Sequence, residues 1–65
     1  MDQQRLIYMA NQIARNLATD ADPAAATAEH IRLFWDPRMK AAIAAHVAAG
    51  GEGLDPVVRD ALALV

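Results

Sequence analysis

Three Asp-Pro dipeptides, Asp22-Pro23, Asp36-Pro37 and Asp55-Pro56, constrain this 65-residue chain more than any other feature. An aspartate at a helix N-cap accepts from an otherwise unpaired backbone N–H. Proline at the first helical position has no N–H to lose, and its φ already suits the helix. Proline also drives the preceding residue out of the α region, so each pair ends one element and starts the next. The expected fold is all-α: one domain over residues 1–65, a small bundle of three to four short helices with a sharp bend at Asp36-Pro37.

Apolar spacing fills in the segments. From Asp2, itself a candidate cap, to about Ala18, the residues Leu6, Met9, Ala10, Ile13 and Leu17 recur every three or four positions and share one face. Gln4, Arg5, Tyr8, Gln12 and Arg15 fall away from it. A second helix from Pro23 to about Trp35 aligns Ala24, Ala28, Ile31 and Trp35, with Phe34 beside that stripe. A third, Pro37 to about Ala49, carries Met39, Ile43, His46 and Val47 on one side. Gly50-Gly51-Glu52-Gly53 ends it, because glycine takes up the left-handed cap conformation at little cost. The last helix is expected from Pro56 to the end of the chain, with Val57, Val58, Ala61, Leu62 and Val65 apolar. No two-residue alternation with β-branched enrichment occurs, so strands are not expected.

The core available to these helices is thin. Apolar residues make up 55% of the chain, but 16 of them are alanine, which leaves 20 large apolar side chains. A buried methyl contributes about 0.8 kcal/mol, against ~1.5–3 kcal/mol for a buried Leu, Ile or Val side chain. Without cysteine there is no disulfide, no thiolate zinc site and no cluster ligation by this chain. Six basic and eight acidic residues are interleaved, so no basic stripe exists to neutralise phosphates or anionic lipid. Neither nucleic acid nor a membrane is an expected partner. No basic segment followed by an apolar one opens the chain, and a cytoplasmic location is expected.

Little of the sequence suggests chemistry. His30 and His46 are sixteen residues apart, outside any zinc spacing, so no metal site is expected. Glu29 and His30 are consecutive and point about 100° apart on a helix, so they do not form an acid–base dyad. Thr19, Thr27 and Tyr8 stand in no nucleophile motif. The glycine run lacks the Lys-Ser/Thr of a phosphate loop and the strand of a dinucleotide fold. No catalytic, cofactor-binding or metal-binding residue is therefore expected.

One segment combines the residue types that concentrate binding energy at protein interfaces, aromatic and arginine. Phe34, Trp35, Arg38, Met39 and Lys40 are the candidate partner-interface residues. Arg38 and Lys40 fall in the first turn of the third helix, where a positive charge costs about 0.3–1 kcal/mol against the helix dipole. Their presence suggests a role outside that helix, either covering Trp35 with their stems or pairing with acidic groups on a partner. Phe34 and Trp35 have an alternative role in holding the thin core together.

The run His30-Ile31-Arg32-Leu33-Phe34-Trp35-Asp36-Pro37-Arg38-Met39-Lys40 carries a resemblance. With Met9-Ala10-Asn11-Gln12-Ile13-Ala14 before it and Gly50-Gly51-Glu52-Gly53-Leu54-Asp55-Pro56 after it, it resembles the delta subunit family of soluble NAD-dependent formate dehydrogenases. The blocks stand in the family's order, and the likeness extends from about Arg5 to Leu62. Lys40 stands where arginine is common in the family, keeping the charge but losing the guanidinium fork.

The resemblance implies a place in a complex that oxidises formate to carbon dioxide and reduces NAD. In such a complex other subunits carry a molybdopterin with molybdenum or tungsten, iron–sulfur clusters, FMN and the NAD site. It implies that this chain is a cofactor-free accessory subunit, docked on the large catalytic subunit. The alternative within such a complex is a maturation factor bound to the immature catalytic subunit during cofactor insertion. Only the tight bend at Asp36 suggests a freestanding self-associating bundle acting as a regulator or a helix-turn-helix DNA binder, whose steeply salt-dependent nucleic-acid binding the charge balance argues against.

Overall fold

In a computed structural model, which describes residues 2–65, the chain folds into four α-helices: α1 (Gln3–Asn16), α2 (Pro23–Phe34), α3 (Pro37–Ala48) and α4 (Pro56–Leu62). Met1, the first residue of the expected domain, lies outside the described residues. No described residue is in a strand, and no described helix is long and apolar enough to cross a membrane. The all-α expectation holds. The last helix is shorter than expected, closing at Leu62 with Ala63 as its C-cap and leaving Leu64 and Val65 exposed.

Two of the three Asp-Pro pairs cap as expected. Asp22 accepts from the N–H of Ala25 at 3.2 Å and Asp36 from that of Met39 at 2.9 Å. Asp2 does the same for α1, accepting from Gln4 at 3.0 Å. Asp55 makes no side-chain cap bond. Its carboxylate faces Arg15 instead, 3.4 Å from Nε, and its own N–H donates to Asn11 Oδ1 at 2.9 Å. Tertiary contacts have drawn this aspartate away from the local cap.

The bend between α2 and α3 consists of two extended residues, Trp35 (ψ 137°) and Asp36 (ψ 168°). It separates the helices so far that α2 packs chiefly on α4, while α3 turns back onto α1. Helix α1 touches the other three and forms the spine of the bundle. At its start Gln3 Nε2 donates to the carbonyl of Ala42 on α3 at 2.9 Å.

This central position explains a correction to the expected face of α1. Its buried residues are Leu6, Ile7, Ala10, Asn11 and Ala14, while Met9 and Ile13 are only partly buried. A helix packed on several sides buries a wider arc than one apolar stripe. The core is completed by Ile31, Trp35, Ile43, Leu54 and Val58. On α2, Thr27 is buried with Ala28 and Ile31, whereas Ala24 is only half-buried.

The end of α3 is a Schellman cap. The N–H of Gly51 donates to the carbonyl of His46 at 2.9 Å and that of Gly50 to Val47 at 3.0 Å, with Gly50 at φ +122°. Three side chains then hold the loop that follows. Asn11 Nδ2 donates to the Gly53 carbonyl at 2.9 Å, Arg59 Nη2 donates to Gly51 at 2.9 Å, and His46 Nε2 lies 2.7 Å from the Glu52 carbonyl. This clamp fixes where α4 begins.

Candidate protein-docking surface

The structure divides the five residues singled out from the sequence. Trp35 is 5% exposed and belongs to the core, so its indole is not presented to a partner. Phe34, one residue earlier, is 71% exposed. The last residue of α2 and its extended C-cap point in different directions, and adjacent aromatics therefore take opposite roles. The core role open to both aromatics in the sequence falls to Trp35 alone.

Around Phe34, α1 and α2 leave an apolar groove of about 360 Å³. Tyr8, Met9 and Ile13 of α1 line one wall, His30 and Phe34 of α2 the other, and Met39 of α3 closes one end beside Trp35. The His30 and Phe34 rings lie one helical turn apart, with centroids 4.7 Å apart and planes inclined by 40°. This contact restricts the exposed phenyl ring before any partner arrives. A second, shallower depression of about 220 Å³ shares His30 and Phe34 and runs on to Leu17 and Leu33. Tyr8 and Leu33 are both 66% exposed. One apolar surface thus extends on both sides of the Phe34 ring.

Arg38 is exposed and lines neither depression. Lys40 plays a structural part, since its Nζ donates to the carbonyl of Arg32 at 2.9 Å, in the last turn of α2. A cation there satisfies an end-of-helix carbonyl and complements the negative end of the dipole. Its cost at the start of α3 is offset on the neighbouring helix. Local sequence does not reveal this role, because it depends on how sharply the chain bends at Asp36.

Sequence patterning also passes over Tyr8, which it sets away from the apolar face of α1, and Leu33, which it places on no face. The signal that locates them is their size, since large apolar groups outside the apolar faces stand out in a chain with so few. Asn11 leaves no such signal: its partners, Gly53 and Asp55, are more than forty residues away.

The mostly apolar lining of both depressions suits apolar recognition. Phe34, Tyr8 and Leu33 line open depressions rather than an enclosed site, and among the described residues no group of three or more His, Cys, Asp or Glu is placed to hold a metal. Glu29 borders the shallower depression with His30, but the two project from successive positions of α2.

Comparison with known proteins bears on what such a surface meets. No curated protein and no solved structure matched the chain. A protein family did: residues 5–62 of the 65 match the family of NADH-dependent formate dehydrogenase delta subunits, FdsD. That span includes α1 from its third residue, the other three helices, the bend, the glycine loop and the Phe34 surface. The chain belongs to the FdsD family of formate dehydrogenase delta subunits.

Proposed function

We propose that this chain is a non-catalytic accessory subunit that docks on the large molybdopterin-containing catalytic subunit of a cytoplasmic NAD-dependent formate dehydrogenase and stabilises it. The observation that carries the reading is the exposed Phe34 surface on a chain of the delta subunit family. An aromatic ring held by His30 and flanked by Tyr8 and Leu33 has the composition of an interface anchor. Binding only to the native partner stabilises that partner by mass action, without any chemistry from the ligand. The molybdenum or tungsten centre, the iron–sulfur clusters, FMN and NAD belong in this reading to other subunits. This chain has no cysteine to ligate a cluster.

The test is native mass spectrometry of the affinity-purified complex from its own host, with the wild-type chain and with Phe34→Ala. Truncating an exposed ring changes the fold's stability by less than about 0.5 kcal/mol. Losing an interface anchor costs at least about 2 kcal/mol, roughly a thirtyfold weaker association. We expect one delta chain per catalytic subunit in the active wild-type enzyme and a depleted complex in the variant. Full occupancy and full activity with Phe34→Ala would show that the surface is not the docking site. A delta chain present only on cofactor-free enzyme would show a maturation factor instead.

A further inference from the structure

A second groove, on a different part of the bundle, is larger than the Phe34 surface and has a different chemistry. It lies between α3 and α4, measures about 520 Å³, and has the fully buried Ile31 and Ile43 at its base. Its α3 wall is Ala41, Ala44 and Ala48, three small residues on one face of the helix, all exposed. Leu62 and Val65 form part of the opposite wall. The charged side chains in its lining are Lys40 and Arg59, both cationic, and no Asp or Glu side chain is among them. This is notable in a chain with net charge −2.

We infer that this groove takes an amphipathic α-helix of another subunit, one whose apolar face is flanked by Asp or Glu. The inference rests on the reading that the chain works inside the formate dehydrogenase complex. Methyl-sized side chains along α3 let a second helix approach closely, and from Ala41 to Ala48 the wall is about 10 Å long, two helical turns. The occupant's charge follows from the rim. Lys40 uses one donor on the Arg32 carbonyl, and Arg59 directs Nη2 to Gly51 and Nε toward Leu54. The ammonium has two further N–H donors and the guanidinium three. These hydrogen bonds go to neutral carbonyls beside the groove and leave both charges unneutralised, so the two lining residues keep its edge positive, which favours carboxylates on an occupant. Helix α3 packs only sparsely on α4, which leaves room for the groove between them.

Ala44 gives the test, because it is exposed and lines the groove. Ala44→Glu and Ala44→Lys add similar bulk and opposite charge, and their effect is read as delta-chain occupancy in the affinity-purified complex. Carboxylate recognition predicts that the Glu variant is depleted at least tenfold more than the Lys variant. A photo-crosslinker at position 44 should then join the chain to an acidic amphipathic helix of another subunit. Equal occupancy of the two variants overturns the charge argument. So does an adduct to a fatty acid, to a second copy of this chain, or to a segment without carboxylates. A parallel crosslinker at Tyr8 separates this inference from the docking proposal. Adducts at Tyr8 but none at position 44 overturn the second groove alone, whereas no adduct at either position, with no delta chain in the complex, overturns both.

Discussion

Asn11→Ala tests the clamp that sets α4 against the rest of the bundle. Asn11 is 9% exposed and makes two hydrogen bonds of 2.9 Å across more than forty residues of sequence, from Nδ2 to the Gly53 carbonyl and from the Asp55 N–H to Oδ1. Truncation leaves both backbone groups without these partners. An unsatisfied buried group costs ~1–3 kcal/mol, and because both bonds are only part-buried we take the lower half of that range for each. The sum is about 2–4 kcal/mol. Stability of ~0.05–0.15 kcal/mol per residue gives the whole domain roughly 3–10 kcal/mol. At ~4–8 °C per kcal/mol for a domain of this size, the melting midpoint falls by about 10–30 °C. Thermal unfolding followed by far-ultraviolet circular dichroism measures it. Asn11→Asp is the companion variant: it keeps the acceptor for Asp55 but sets a carboxylate oxygen against the Gly53 carbonyl, so at least half the loss should remain. A midpoint within about 4 °C of wild type for Asn11→Ala would refute the clamp, and α4 would then be held by packing alone.

Other substitutions separate effects that the structure brings close together. Trp35→Ala removes a core indole and should cost ~3–5 kcal/mol, enough to unfold much of the population, as chemical denaturation would show. Thr27 Oγ1 is buried with no hydrogen-bond partner, so Thr27→Val should raise the stability by about 1 kcal/mol in the same assay; a loss would mean that the hydroxyl is satisfied. Gly50→Ala should destabilise more than Gly51→Ala, although an added Cβ at position 50 meets nothing within 4 Å. The reason is the backbone: φ +122° is essentially a glycine conformation, costing ~1–3 kcal/mol for any other residue, whereas φ +64° at Gly51 is the ordinary left-handed region. Equal melting midpoints would refute that ordering.

The helices were legible in the sequence because their ends are written in local chemistry. Asp22 and Asp36 act on N–H groups three residues away, and the Schellman glycine acts within its own turn. Asp55-Pro56 has the same local pattern and starts a helix, yet its carboxylate is directed to Arg15 on α1. Nothing within six residues of Asp55 records that competition. The buried face of α1 was partly legible: Leu6 and Ala10 follow from apolar spacing, but Asn11 is polar and is buried for the two backbone groups it satisfies. Periodicity weighs side chains by hydropathy, and so it assigns such a residue to solvent.

The docking segment shows the same limit from the other side. Composition brought Phe34, Trp35, Arg38, Met39 and Lys40 together, but their roles depend on the direction of the chain through two extended residues. Trp35 turns inward to the core, and Lys40 reaches back to the end of α2. The dipole argument that made both cations of α3 unexpected now applies differently to each. Lys40 recovers its cost on the Arg32 carbonyl. Arg38 is exposed at the positive end of its helix, and among the described residues it makes no ion pair or side-chain hydrogen bond that would offset that position. A residue whose charge opposes its own helix and has no compensation within the fold has its most direct physical rationale outside the fold. An acidic group on a partner near the Phe34 surface would supply it. Arg38→Gln should accordingly leave the melting midpoint unchanged or slightly raised while slowing assembly of the complex at low salt. Unchanged assembly at low salt would leave Arg38 as a solvated side chain with no part in docking.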